Sequence, residues 1–134
     1  MRKFIIFIML LPALFPCFGM AEKEKEQKKV NMTYTQITQE EAKKIIDEKT
    51  GYIILDVREQ YEFDAGHIPN AVLLPYTQTE QLASVMLKDK QQMILVYCRS
   101  GRRSKISAQI LADMGYSNVY EFGGIITWQY EIVK

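Results

Sequence analysis

The sequence has few of the side chains from which metal centres and histidine-based catalytic sites are built. It contains two cysteines, Cys17 and Cys98, and one histidine, His67, among 134 residues. Cys17 falls in an N-terminal segment that we expect to be removed, and one thiol with one imidazole is too small a set for a closed zinc site. His67 either serves Cys98 as a base, as in a cysteine protease, or bonds to backbone in a turn near Pro69. We favour the structural role and predict no metal site.

A strong net charge is also absent, which bears on the partners of the protein. The chain carries 17 basic and 16 acidic side chains, a formal net charge of +1 at pH 7. Such a balance gives no long-range attraction to nucleic acids or to a membrane surface, so we predict neither as a partner. The segment at 22–29, EKEKEQKK, mixes both signs without an apolar residue and is typical of a solvated tether.

The N-terminus lacks an apolar run long enough to span a bilayer. Arg2 and Lys3 precede an apolar stretch at 4–15, which is shorter than the roughly 20 residues that a membrane helix needs. Basic residues before a short apolar run are typical of a secretory signal, and the small side chain of Ala21 favours cleavage after it. We therefore predict a signal peptide at 1–21, export to the periplasm or another extracytoplasmic space, and no membrane span after cleavage.

Two alternatives for this segment stay open. A lipoprotein signal would attach lipid at Cys17, although Pro16 and Phe15 fit such a signal poorly, and an uncleaved anchor is the other. Cleavage would leave 113 residues, enough for one domain with a real core. We divide them into a charged linker at 22–33 and a folded domain at 34–134.

The distribution of apolar residues predicts strands that alternate with helices. Thr38 and Glu41 form a capping box that begins a helix ending near Gly51. The predicted strands lie at 52–55, 71–74, 93–97 and 119–122, a helical turn lies at 59–63, and two further helices have apolar stripes at Leu82, Val85 and Met86 and at Ile106, Ile110, Leu111 and Met114. This alternation predicts an α/β fold of three layers, with a mostly parallel central sheet and helices on both faces.

Two chemically distinctive residues, Asp56 and Cys98, end predicted strands. Because ligands bind beyond the carboxyl ends of the strands in such sheets, both residues are candidates for a functional site. Asp56 either orients an arginine of the Cys98 loop or caps the turn that follows it. Arg58 and Glu62 are four residues apart and are predicted to form an ion pair if that turn is helical. Trp128 is interpreted as a core anchor.

Cys98 is the most informative residue of the chain. It opens the loop Cys98-Arg99-Ser100-Gly101-Arg102-Arg103, and a helix is predicted to begin near Ser104. The helix N-terminus, the inward-facing amides that a glycine permits and the three arginines all favour a thiolate. After signal cleavage Cys98 is the only cysteine, so it forms no internal disulfide. A buried core cysteine beside solvated arginines is the alternative, but three arginines in five positions favour a nucleophile.

Three ordered motifs resemble those of the single-domain rhodaneses, sulfurtransferases that carry sulfur as a cysteine persulfide. The first is LDVRE at 55–59, followed by Glu62 and Phe63 and by GHIPNA at 66–71. The second is the loop CRSGRRS at 98–104, which resembles the six-residue active-site loop of the family. The third is Gly123 and Gly124 with Trp128. The resemblance spans about Tyr34 to the C-terminus.

The resemblance implies a rhodanese-like fold and a sulfur transfer that needs no cofactor. Cys98 would take sulfane sulfur from a small anionic donor such as thiosulfate and pass it to cyanide, a thiol or a protein acceptor. The residues that it implies for binding the donor and stabilising the persulfide are Arg99, Ser100, Gly101, Arg102 and Arg103. Asp56, Arg58 and Ser104 are expected to support them.

Three rival functions follow from the same residues. Phosphatases and arsenate reductases of this fold have Cys-x5-Arg, whereas the sixth residue after Cys98 is Ser104, so this loop is too short for a tetrahedral phosphate. Non-catalytic modules of the family often lack the cysteine, which this chain retains. A relay protein that receives sulfur from a protein partner would use the same Cys98, and the sequence does not separate it from a thiosulfate enzyme.

Overall fold

The structure is a computed structural model in which residues 32–134 are described. The predicted signal peptide at 1–21 and nearly all of the linker at 22–33 lie outside the described residues, so the proposed division of the chain stays a prediction. Within residues 32–134, no helix combines the length and the apolar character that crossing a bilayer requires.

A five-stranded parallel sheet forms the centre of the described chain. The strands are β1 (Thr35–Gln36), β2 (Ile53–Asp56), β3 (Val72–Leu73), β4 (Ile94–Cys98) and β5 (Val119–Gly124). They lie in the order β1-β5-β4-β2-β3, and each of the four pairings is parallel. β1 was not among the predicted strands, because a strand of two residues is too short to show an alternating pattern.

Helices cover both faces of this sheet. They are α1 (Gln39–Glu48), α2 (Gln60–Ala65), α3 (Thr79–Met86) and α4 (Arg102–Asp113), with 3₁₀ turns at Tyr76–Gln78 and Ile125–Thr127. One apolar cluster joins the sheet to α3 and α4, and a second joins the opposite face to α1 and the C-terminal segment. The predicted α/β architecture is therefore confirmed.

The predicted helix starts and strands are mostly correct, but the predicted buried face of α3 is wrong. Thr38 and Glu41 form the expected capping box, with reciprocal hydrogen bonds of 3.1 and 2.7 Å. In α3 the residues of the predicted stripe are exposed, Val85 to 65%, whereas Thr79 and Ala83 are buried. The hydroxyl groups of Thr79 and Ser107 lie 2.9 Å apart, so small side chains form the contact between α3 and α4.

The C-terminal stripe is also only partly correct. Leu111 is buried in the core, but Ile106 is exposed on the outer surface of α4. The inner face of this helix instead carries small residues, among them Ser104 and Ala108, because the helix lies close to the central strands. Trp128 is buried and packs on Phe122, which confirms its role as a core anchor.

The order of the strands brings two loops to one edge of the sheet. β4 lies between β5 and β2, so its neighbours flank it on both sides. Asp56 at the end of β2 is in register with Tyr97, the residue before Cys98, and Cys98 itself is in register with Gly124 of β5. The loops that follow β2 and β4 therefore leave the sheet side by side.

Candidate active site

Cys98 lies at the carboxyl end of the central strand and at the base of the loop that follows it. Its side chain is part of the apolar cluster beneath α3 and α4, and the residue is only 1% exposed. Burial by itself disfavours a thiolate, because a charge loses hydration when it leaves water. A reactive thiolate at this position therefore needs compensating hydrogen bonds.

The loop supplies these hydrogen bonds from its backbone. The N–H of Gly101 donates to Cys98 Sγ at 3.0 Å, and Ser104 Oγ lies 3.4 Å from the same sulfur. Burial raises the pKa of the Cys98 thiol, but bonds from the Ser104 hydroxyl and from the backbone N–H groups of Ser104, Gly101 and Ser100 outweigh it, so the pKa lies below its ordinary value. The first residue of α4 follows directly, so the positive end of the helix dipole faces the loop.

A glycine is required where the loop meets the helix. Gly101 is the N-cap of α4 and has φ +106°, a left-handed conformation that a residue with a side chain adopts only with strain. This turn directs the amide of Gly101 at the sulfur, as the sequence analysis predicted.

The end of β5 braces the other side of the loop. Gly124 lies so close to the loop that a Cβ atom built on it would be 1.9 Å from the carbonyl oxygen of Arg99. The same carbonyl accepts a hydrogen bond from the N–H of Ile126 at 3.2 Å. The close approach explains the glycine at 124, and the left-handed φ of +87° explains the glycine at 123. The contact ties the loop conformation to the C-terminal segment.

The three arginines of the loop have different surroundings. Arg103 forms a bidentate ion pair with Glu62 of α2, with both N–O distances 2.8 Å. The hydrogen bond from Arg103 lowers the pKa of Glu62 to about 2, and the negative charge of Cys98 also favours the protonated guanidinium. Arg99 and Arg102 are exposed, and within residues 32–134 neither forms an ion pair. They are the loop's accessible positive charges.

The predicted ion pair between Arg58 and Glu62 is wrong. Because α2 begins only at Gln60, Arg58 lies outside the helix and its side chain does not point along the helix surface towards Glu62. Arg58 Nη2 instead donates to Asp56 Oδ2 at 2.7 Å, and both residues are buried. Glu62 Oε2 accepts from the N–H of Glu59, which orients the carboxylate for Arg103.

Asp56 does not orient an arginine of the Cys98 loop, which was one of its two predicted roles. Its Oδ1 accepts from the backbone N–H of Arg58 at 3.0 Å, so the alternative, a cap on the following turn, is correct. Its Oδ2 also accepts from the hydroxyl of Tyr97 at 2.6 Å. Arg58 completes the network by donating to the carbonyl of Gly66 at 2.7 Å. This network fixes the connection beside the Cys98 loop.

Glu121, which lies behind the loop, was not among the predicted site residues. This residue of β5 is 2% exposed, and its Oε1 accepts from Ser104 Oγ at 2.7 Å and from the N–H of Gly123 at 2.8 Å. A glutamate within the apolar run of a strand was the available signal, since a buried carboxylate needs partners. Through Ser104, the carboxylate is one side chain away from Cys98 Sγ.

Comparisons with known proteins agree with this geometry. The profile of the family described as "Rhodanese-like domain" matches residues 38–131. The chain belongs to this family. A Coxiella burnetii protein named thiosulfate sulfurtransferase GlpE is 35% identical over 99 residues, which is 73% of this chain and 90% of that protein. Escherichia coli thiosulfate sulfurtransferase PspE is 31% identical over 71 residues, or 53% of this chain and 68% of PspE.

Solved structures of rhodaneses share the fold. A structure described as a rhodanese with anions from E. coli superimposes with a TM-score of 0.58 and 29% identity, and covers 62% of this chain and 98% of its own. A rhodanese-related protein from Thermoplasma volcanium gives a TM-score of 0.65 at 27% identity, with 75% of this chain covered and 98% of its own. Together with the relatives, these likenesses identify a sulfurtransferase of the rhodanese type.

The single histidine of this rhodanese has a structural environment. His67 Nδ1 lies 2.9 Å from the carbonyl of Phe63, and the two rings stack with their centroids 3.8 Å apart. Its backbone exchanges hydrogen bonds with Val133, which joins the end of α2 to the C-terminus. In the described part of the chain, no group of three or more His, Cys, Asp or Glu side chains is arranged to hold a metal ion.

A shallow depression of about 380 Å³ borders the loop. Tyr61 and Ile126 line it and are 74% and 64% exposed, and its charged side chains are those of Arg58, Glu62 and Arg99. Exposed apolar side chains beside a basic loop are typical of a surface that binds a partner.

Proposed function

We propose that this protein transfers sulfane sulfur from thiosulfate, or a similar anionic donor, to a thiophilic acceptor through a persulfide on Cys98. The observation that carries the proposal is the 3.0 Å hydrogen bond from the Gly101 N–H to a buried sulfur whose pKa is lowered. The relatives named thiosulfate sulfurtransferases support the donor class. The E. coli rhodanese described with anions supports an anionic substrate.

The first half of the reaction moves one sulfur atom onto the enzyme. The Cys98 thiolate attacks the outer sulfur of thiosulfate and forms a new S–S bond. The S–S bond of the donor breaks, and its electron pair leaves with sulfite. The enzyme then carries Cys98–S–S⁻, so the total charge of −3 is the same on both sides of the step.

The second half returns the enzyme to its thiolate. Cyanide, or a thiol in its place, attacks the outer sulfur of the persulfide, and the electron pair of the S–S bond returns to Cys98 Sγ. With cyanide the product is thiocyanate. Donor and acceptor react in turn with the same residue, which predicts ping-pong kinetics.

The loop residues divide the electrostatic work between them. The backbone N–H groups of Ser100 and Gly101 hold negative charge at the sulfur in a site fixed before the reaction begins. Arg99 and Arg102 attract the anionic donor because they are exposed and unpaired within the described residues. Arg103, held by Glu62, adds a fixed positive charge beside Cys98.

The small exposure of Cys98 supports sulfur transfer over phosphate hydrolysis. Cys98 is only 1% exposed, and a narrow terminal atom such as the outer sulfur of thiosulfate approaches a buried sulfur more easily than the phosphorus at the centre of a tetrahedral phosphate. The sixth residue after Cys98 is Ser104, whose hydroxyl lies against the sulfur where a phosphatase would have an arginine. We therefore expect negligible hydrolysis of p-nitrophenyl phosphate by a preparation that is active with thiosulfate.

Intact-mass measurement tests the proposal directly. The full chain is incubated with thiosulfate beside Cys98→Ser and Cys17→Ser variants. We expect a gain of one sulfur atom, about 32 Da, in the parent and in Cys17→Ser, none in Cys98→Ser, and loss of the gain when cyanide is added. If the parent gains no mass while its thiol still reacts with a maleimide, thiosulfate is not the donor.

A second candidate, a relay that receives sulfur from a protein partner, is favoured by the exposed apolar side chains that line the depression. Tyr61 and Ile126 are large and exposed. Neither carries a positive charge that would bind the thiosulfate anion. A persulfide-bearing cysteine desulfurase is a suitable probe donor. If the relay is correct, a Tyr61→Ser, Ile126→Ser double variant loads normally from thiosulfate but loads several-fold more slowly from the desulfurase. Equal slowing with both donors would contradict it.

We also propose that the protein works outside the cytoplasm. The support is Arg2 and Lys3 before the apolar stretch at 4–15, with cleavage after Ala21. The mass of the protein purified from its own cells tests this, because a mature chain begins at Glu22. An N-terminus at Met1, or a lipid mass on Cys17, would contradict the proposed cleavage.

A further inference from the structure

A single buried hydroxyl lies between the reactive sulfur and a buried carboxylate. Ser104 Oγ is 3.4 Å from Cys98 Sγ on one side and 2.7 Å from Glu121 Oε1 on the other. None of the three residues is more than 2% exposed. Solvent therefore does not stand in for any of these contacts.

The hydroxyl has one proton and several acceptors that compete for it. The acceptors are Glu121 Oε1 at 2.7 Å, the carbonyl of Gly101 at 3.0 Å, the carbonyl of Gly123 at 3.4 Å and the sulfur of Cys98 when it is a thiolate. The hydrogen bond to the Glu121 carboxylate is the shortest and is charge-assisted, so it is the strongest of the three bonds from Ser104 to oxygen acceptors. When Cys98 is a thiol, its S–H donates to Ser104 Oγ, and the chain of donors runs from Cys98 to Glu121.

We propose that Glu121 is a positioning residue that acts on Cys98 through Ser104: its carboxylate competes with the thiolate for the one Ser104 proton, so the thiolate is stabilised less and is a stronger nucleophile. This inference rests on the proposed function of Cys98. When the thiolate forms, the Ser104 proton turns to the sulfur, and Glu121 Oε1 keeps only the N–H of Gly123, at 2.8 Å. After sulfur transfer the charge lies on the outer sulfur, Sγ is a weak acceptor, and the Ser104 proton returns to Glu121. The arrangement therefore favours the persulfide over the resting thiolate.

Other charged groups lie near the loop, but within residues 32–134 none of them is bonded to Ser104 as Glu121 is. From α4, Arg103 contributes a positive charge beside Cys98, and Glu62 of α2 pairs with it. Arg99 and Arg102 of the loop and Lys105 of α4 are exposed. Across the groove beside Glu121, α1 presents Glu41, which is exposed, and β1 presents Gln36, whose Nε2 is 3.4 Å from Glu121 Oε2. Among the acidic side chains of residues 32–134, only Glu121 accepts a hydrogen bond from a side chain that is itself hydrogen-bonded to Cys98 Sγ.

Alkylation of Cys98 by iodoacetamide tests the proposal without any sulfur donor. Its rate is measured as a function of pH on the peptide that contains this cysteine. Glu121→Gln keeps an oxygen for Ser104 and Gly123 but removes the charge. We expect the pH midpoint of the alkylation rate in this variant to lie about 0.5–1 pH unit below that of the parent. The rate at saturating pH should fall two- to three-fold, since nucleophilicity falls with thiol pKa. An unchanged or raised midpoint overturns the proposal.

Three further variants separate the route through Ser104 from a general effect of charge. Ser104→Ala removes a donor from the thiolate and should raise the midpoint, and in this background Glu121→Gln should have less than half its effect. Ser107→Ala removes an equally buried hydroxyl from the same helix, one bonded to Thr79, and should not move the midpoint. An undiminished effect of Glu121→Gln without Ser104 overturns the route.

If the Glu121→Gln variant does not fold, Glu121→Asp is used for the same measurement. The shorter carboxylate keeps its charge but withdraws from Ser104, so the midpoint should again fall, and a midpoint equal to the parent's contradicts the proposal. Because alkylation needs no persulfide, a negative result here is distinct from a failure to load sulfur from thiosulfate.

Discussion

The loops after β2 and β4 leave neighbouring strands of one parallel sheet at the same edge, and both contain arginines. After β2, the charges satisfy each other: Asp56 and Arg58 are buried, paired at 2.7 Å and joined to Tyr97. After β4, the hydrogen-bond donors converge instead on one sulfur, with Gly101 N–H at 3.0 Å from Cys98 Sγ. A loop beyond the carboxyl end of a strand can therefore bind a ligand only where its polar groups are not already paired with one another.

The two loops are also fixed by different means. The first depends on an ion pair that is removed from water, where the loss of one partner leaves an uncompensated charge. The second depends on backbone shape, because Gly101 provides the left-handed turn and Gly124 allows the close approach of Arg99. Side-chain changes should therefore damage the first loop most, and added Cβ atoms the second.

Removing one charge from the first loop should have the largest effect. Asp56→Ala leaves Arg58 buried without its carboxylate, and we expect the free energy of unfolding to fall by about 3–5 kcal/mol. Asp47→Ala, which breaks the exposed pair with Lys43, should cost less than about 1 kcal/mol. Urea denaturation of both variants measures the contrast. Equal losses would show that the burial of the Asp56 pair is unimportant.

Adding one methyl group to β5, where it lies against the second loop, should have the next largest effect. Gly124→Ala places a Cβ 1.9 Å from the Arg99 carbonyl oxygen, so the loop must move. We expect a loss of about 3 kcal/mol in stability and at least a ten-fold slower gain of sulfur from thiosulfate. Gly51→Ala, at φ +76° with nothing within 4 Å, should cost only about 1 kcal/mol and leave loading intact. Normal loading by Gly124→Ala would refute the bracing role of β5.

The ion pair between Glu62 and Arg103 joins the two loop regions and should show a smaller, pH-dependent effect. The pKa of Glu62 is about 2 in the folded protein against an ordinary 4.5. Because the folded value is the lower one, the stabilisation is present above about pH 4.5 and is lost as the pH falls towards 2. Glu62→Gln should cost about 1–2 kcal/mol at pH 6 and much less at pH 3. A loss independent of pH would assign the effect to packing.

The thiol of Cys98 should give the smallest measurable difference. Its pKa is lowered in the folded protein by the hydrogen bonds of Ser104, Gly101 and Ser100, which outweigh burial. The pH midpoint for alkylation of the folded protein should therefore lie below the midpoint of the same cysteine in urea, which is about 8.5. If the folded midpoint is the higher one, desolvation dominates and the loop does not stabilise a thiolate.

Local features of the chain were predictable because they depend on neighbouring residues. The capping box of Thr38 and Glu41, the position of Cys98 at a strand end and the need for glycine at 101 all follow from short-range geometry. The apolar stripe of α3 failed because a helix of eight residues chooses its buried face by what lies against it. Thr79 meets Ser107 there, and Val85 faces solvent.

The α/β order of elements, the candidate nucleophile Cys98 and the glycine in the loop that follows it could be predicted from the sequence alone. Which polar groups meet depended on the fold: Glu62 pairs with Arg103, 41 residues away, and not with Arg58, and Glu121 accepts from Ser104, 17 residues away. The strength of an ion pair or hydrogen bond depends on distance and burial in space. Neither quantity is written in the spacing of residues along the chain.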